Sequence, residues 1–149
     1  MSKVEHVLEL GLSGLSCSQA MLAAYGPDHG LDRDLAVRLG AGLGGGLGLT
    51  GEVCGAVNAG CMLLGLILGS ADETDKERRE LVHEAVRLFL ERFAERRGTV
   101  LCREIMAKEG IRVPEEWDKA RETGLLPRLC PEVIRDAALT LEDVLGSLG

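Results

Sequence analysis

Apolar residues recur at helical spacing along most of this chain, and one stretch breaks the pattern by being apolar on every side. Val4, Val7, Leu8 and Leu12 share one face of a helix predicted over residues 2–12, where Ser2 and Glu5 have capping-box spacing. A second helix is predicted from Ser16, whose capping partner is Gln19, through Met21, Leu22 and Ala24 to Tyr25, before Gly26 and Pro27. This puts Cys17 in its first turn. Residues 32–41 predict a third helix, with Leu35, Val37 and Leu39 apolar and Asp32 and Asp34 near its positive end.

Residues 51–69, GEVCGAVNAGCMLLGLILG, form the exception: between Glu52 and Asp72 the chain carries no charge. The pattern predicts a central helix, with Thr50 as its N-cap and Cys54 near its start. Gly51, Gly55, Gly60, Gly65 and Gly69 stud it, each costing roughly 1 kcal/mol relative to alanine, so a neighbouring backbone or a bulky group must need the room. The uncharged run is long enough for a bilayer, but its glycines, Asn58 and the charged amphipathic flanks favour the buried centre of a bundle.

A long surface helix follows, with a capping box of Thr74 and Glu77, an inward stripe of Val82, Ala85, Phe89 and Phe93, and a stop at Gly98. Thr99 is the expected cap of a short helix ending near Glu109, with Cys102 in its first turn. Pro114 is expected to open another helix running to Thr123. Pro131 suits a first helical position, which would place Cys130 at the start of a last helix reaching about Leu145. No alternating run suggests a strand, so the expected fold is all-α: a single domain over residues 1–149, a helical bundle around the central Gly-rich helix.

Between the third and central helices, GAGLGGGLGLTG contains two formal G-x-G-x-x-G matches, at Gly40 and Gly46. A helix rather than a strand precedes them, and no Lys or Arg lies between Arg38 and Lys76 to meet a phosphate, so they read as a tight, backbone-dense loop.

Composition narrows the function classes. The formal charge of −7 argues against nucleic-acid binding, and an aromatic content of 3% leaves no base-stacking platform. The N-terminal segment reads as amphipathic helix rather than a signal peptide, so the expected compartment is the cytoplasm. There, five cysteines point to metal ligation or redox chemistry rather than to structural disulfides. No catalytic triad or positioned carboxylate pair is recognisable, and no reaction is assigned.

Four of the five, Cys17, Cys54, Cys102 and Cys130, are predicted at helix starts, where the positive end of the helix and its unpaired N–H groups favour a thiolate. Cys61, in mid-helix, reads as packed. Seven residues of rise, about 10 Å, keep it from bonding Cys54 within one helix. There is no C-x-x-C, hence no thioredoxin motif, compact zinc knuckle, ferredoxin loop or covalent haem site. His6, His29 and His83 are isolated and read as structural or exposed. Any site must be assembled by the fold from distant cysteines.

The runs GLSCSQAML around Cys17 and CGAVNAGCMLLGL from Cys54, followed by Cys102 and Cys130, resemble the C_GCAxxG_C_C family of putative redox-active proteins, named after its cysteine pattern. The resemblance covers most of the chain. It departs at Ala59, where the family motif ends in glycine, and Gly60 follows immediately. It implies a helical redox domain related to one in split-Soret-type cytochromes, associated there with iron–sulfur chemistry. Without haem motifs in this chain, haem is not implied.

The first expectation is therefore an iron–sulfur protein acting in electron transfer, with Cys17, Cys54, Cys102 and Cys130 holding a 2Fe–2S or 4Fe–4S cluster. The alternatives are a metal-free thiol–disulfide protein using the same cysteines and a structural Cys₄ zinc domain. The acidic surface suits an oxidoreductase or other electron-transfer partner with a basic face, and the glycine-lined helices suit a homodimer.

Overall fold

The computed structural model describes residues 1–148. Eight α-helices are present among the described residues: α1 Lys3–Leu12, α2 Cys17–Tyr25, α3 Arg33–Gly40, α4 Gly55–Leu68, α5 Lys76–Arg97, α6 Cys102–Ala107, α7 Trp117–Glu122 and α8 Leu125–Leu148, with a 3₁₀ turn over Gly26–His29. The all-α expectation holds, and the one extended pairing among the described residues is an isolated antiparallel bridge between Val53 and Leu101.

Local chemistry explains the first helices. Ser2 and Glu5 close one capping box at the start of α1, and Ser16 and Gln19 close another at the start of α2. Ser18, fully buried, donates its hydroxyl to the Gly40 carbonyl at 2.8 Å, and the Gln19 side-chain amide donates to the Val37 carbonyl at 3.1 Å. A side chain at Gly40 would lie 3.0 Å from the Gln19 backbone, so glycine there permits the close approach of α2 and α3.

Helix α4 packs against α2, α5 and α8 and is the spine of the fold. It is shorter than the apolar run from which it was expected. Cys54 itself is the N-cap, whereas the Thr50 hydroxyl turns back to the Gly46 and Leu47 carbonyls. Residues 52–54 stay extended because backbone groups of 51–54 pair elsewhere: the Gly51 and Glu52 carbonyls accept from the Arg103 and Cys102 amides, and the Cys54 amide donates to Val100. Nor is α4 enclosed throughout, since Met62 and Leu66 are exposed. Gly60 explains one glycine of the spine: a Cβ there would come within 2.4 Å of the Phe89 ring, so the α4–α5 contact requires its absence. Among the described residues no helix is long and apolar enough to cross a membrane.

Further elements start differently from expectation. Asp75, not Thr74, caps α5, because Thr74 is already held by the Asp72 carboxylate through both its amide and its hydroxyl. The expected stripe is seen at Ala85, Phe89 and Phe93, which are buried, and Gly98 ends the helix with φ +84°. Thr99 accepts from the Leu101 amide but does not cap α6, whose N-cap is Leu101. Pro114 lies in a turn before α7, which begins at Trp117; the Glu116 carboxylate accepts from the Arg112 amide across that turn.

The largest departure is α8. It begins at Leu125 and runs through Pro131, so Cys130 is inside a helix and not at the start of one. An interior proline costs about 3 kcal/mol, but the stripe Leu125, Leu129, Val133, Ala137, Leu141 and Val144 is buried along the whole helix. Burial of each large aliphatic side chain is worth about 1.5–3 kcal/mol, and several of them offset the one lost bond and clash.

Candidate metal and redox site

Four cysteines separated by as many as 113 positions in the sequence line one cavity of about 240 Å³. Cys17 enters it as the first residue of α2, Cys54 as the N-cap of α4, Cys102 as the first residue of α6, and Cys130 from one turn inside α8. The rest of the lining is almost wholly apolar, including Ile105, Met106, Trp117, Leu129 and Val133. All four are free thiols. Cys61 does not line the cavity, as expected, and neither does any histidine.

Three devices bring the sulfurs together. The Val53–Leu101 bridge is the first. Because side chains alternate across extended backbone, the residues that follow the bridged pair, Cys54 and Cys102, project to the same side. Glycine supplies the second: a Cβ at Gly55 would lie 2.9 Å from the Cys17 sulfur and 2.8 Å from the Leu43 carbonyl oxygen, so only glycine leaves room for the approach of α2 to α4. The third is the glycine loop, in which Gly45, Gly46, Leu47, Gly48 and Leu49 all have φ between +63° and +72°. That is a left-handed turn, costing roughly 1–2 kcal/mol for each of the two leucines. The indole N–H of Trp117 anchors it by donating to the Leu49 carbonyl at 2.8 Å. A Cβ at Gly46 would lie 2.8 Å from that of Cys102, so the loop also presses against the third cysteine.

The electrostatics distinguish the thiols. The Cys17 and Cys54 thiols are buried beside one another and compete for one negative charge, which holds Cys17 well above the ordinary thiol range and Cys54 below it. The Val57 and Ala56 amides at the start of α4 also favour the Cys54 thiolate, although neither approaches as closely as a regular capping bond. Burial raises Cys102 to about 12 and Cys130 to about 11, and negative charge on Cys54 adds to both. Cys61 rises to about 11 from burial alone. The amides of Gly44 and Gly45, which also line the cavity, make no backbone hydrogen bond.

The sequence pattern of the family described as "Putative redox-active protein (C_GCAxxG_C_C)" matches residues 15–144. The chain belongs to the C_GCAxxG_C_C family. No curated protein and no solved structure matches it. The matched span contains all five cysteines, the four that line the cavity and Cys61. Where the chain departs from the family motif, Ala59 is fully buried and Gly60 takes the contact with Phe89.

Sequence reasoning missed several parts of the site. Trp117 could have been suspected as the lone tryptophan of an aliphatic chain. Nothing local marked Arg121, the one charged side chain lining the cavity.

Among the described residues, no three His, Cys, Asp or Glu side chains are close enough to hold one metal ion, whereas tetrahedral zinc requires each sulfur about 2.3 Å from a common centre. The donor set is four thiols in an apolar lining, the soft ligand type that iron–sulfur and zinc sites use.

Proposed function

We propose that this redox protein transfers electrons through an iron–sulfur cluster held by Cys17, Cys54, Cys102 and Cys130. The observation that carries the reading is their convergence, from four different helices, on one apolar cavity from which Cys61 is left out. When bound, such a cluster supplies one-electron chemistry. The chain supplies the rest. Its thiolates hold the iron, Ile105, Met106, Leu129 and Val133 exclude water, and Trp117 holds the glycine loop over the site. The Ala56 and Val57 amides at the start of α4 offer N–H dipoles to negative charge on Cys54. Free thiols at such a site suit a reducing compartment such as the cytoplasm, and the acidic chain suits an oxidoreductase partner with a basic docking face.

The test is iron, acid-labile sulfide and zinc per chain after purification without oxygen, with a visible spectrum of the same sample. Matched iron and sulfide, with absorption that bleaches on reduction, is the expected result. Folded protein with neither iron nor sulfide overturns the reading, and one zinc per chain selects the structural alternative.

A second reading is favoured by the closeness of the Cys17 sulfur to the start of α4, beside Cys54, which singles out one of the three ways to pair four cysteines. In metal-free protein the two thiols would reduce a partner disulfide: the Cys17–Cys54 bond forms, the partner's S–S bond breaks, and two protons pass to the partner's sulfurs. Peptide mapping after exposure to oxidised glutathione tests it. A Cys17–Cys54 bond supports exchange at this pair, and four unmodified thiols exclude it.

A further inference from the structure

Of the side chains that line the four-cysteine cavity, Arg121 is the only one with a permanent charge. It comes from α7 and is exposed, so it stands at the mouth, whereas Cys54, Ile105, Met106 and Leu129 are buried. In a chain with a net charge of −7, a cation in the lining of a group of thiols runs against the overall balance. Its partner, Asp118, lies 3.1 Å away on the same helix, does not line the cavity and has a side chain 89% exposed. An ion pair in that setting is worth little and leaves the guanidinium charge largely available.

We propose that Arg121 is a positioning residue whose charge sets the reduction potential of the group held by the four cysteines. The inference rests on the iron–sulfur reading above. Four thiolates leave either cluster type net negative, and one-electron reduction adds to that charge. A cation at the mouth therefore stabilises the reduced state more than the oxidised one. Because Arg121 is itself exposed, solvent and salt screen this difference, which makes it dependent on ionic strength. Arg97, which does not line the cavity, also favours negative charge on Cys54, so Arg121 is the one charged side chain in the lining itself.

The experiment is an anaerobic redox titration of cluster-loaded protein with dithionite as the electron donor, followed by visible absorption, on the wild type, R121Q and R121K. The expected result is a lower midpoint potential for R121Q, a potential near the wild type for R121K, and a gap between wild type and R121Q that narrows as salt is added. A folded, iron-loaded R121Q protein with the wild-type potential overturns the proposal. So does loss of iron from R121Q alone, which would make Arg121 a structural residue. Absence of iron and sulfide from the wild type as well is a separate outcome, because it removes the iron–sulfur reading itself.

Discussion

Val53 and Leu101 face each other across a single antiparallel bridge, and the residue after each is a cysteine of the cavity. The bridge is held by the Cys54 amide donating to Val100 and the Cys102 amide donating to Glu52, each at 2.8 Å, so the cysteines' own backbones fix their separation. Gly46 fits closely against this arrangement, with φ +72° and a hypothetical Cβ 2.6 Å from the Glu52 nitrogen and oxygen. Gly46→Ala should destabilise the protein by more than about 1 kcal/mol, from the left-handed backbone and the clash together, and should lower iron content with it. Denaturant midpoints and iron analysis check both; an unchanged iron content would separate the bridge from the site.

Gly60→Ala tests packing away from the cavity. The added methyl would meet Phe89 at 2.4 Å, a case of overpacking that should cost about 1–3 kcal/mol. Iron content should be unchanged, and Phe89→Leu in the same chain should recover part of the loss. The two measurements together show whether α4–α5 packing and cofactor retention are independent.

Trp117→Phe keeps the apolar wall and removes the hydrogen bond to Leu49. A stability loss of about 1 kcal/mol is expected, along with faster removal of iron by a chelator as the glycine loop loosens. Wild-type chelation kinetics in this variant would mean that the loop does not limit access.

Tyr25 predicts an alkaline response. Burial and its hydrogen bond to Glu142, at 2.9 Å, raise its pKa above the ordinary value. Below pH about 10 the phenol is protonated in both folded and unfolded chains, and its contribution is fully present. Above that the unfolded chain ionises first, so stability falls as pH rises. Because the chain has one tyrosine, tyrosinate absorbance should appear together with the loss of helical circular dichroism and not before it. Ionisation near pH 10 with the helices intact would contradict the burial.

Cys61→Ser is the control for the site. Cys61 is half-buried and outside the cavity, so its substitution should leave iron and sulfide content at the wild-type level, whereas serine at Cys17, Cys54, Cys102 or Cys130 should reduce both. Metal analysis of the five variants distinguishes the groups.

The sequence by itself determined the helices whose signals are local. The capping boxes at Ser2 and Ser16, the apolar stripe from Ala85 to Phe93 and the stop at Gly98 involve residues within a few turns of one another, and each was legible from spacing. It also identified the four cysteines as a set. The start of α4, the continuous α8 and the place of Cys130 were decided only by tertiary structure. Residues 52–54 are extended because residues 100–103 take the hydrogen bonds of this segment, and α8 continues through Pro131 because its buried stripe outweighs the local cost of proline. Arg121 and the left-handed glycine loop belong to the site for a similar reason. Their roles depend on distance in space to residues far away in the chain, and no local pattern of side chains encodes that distance.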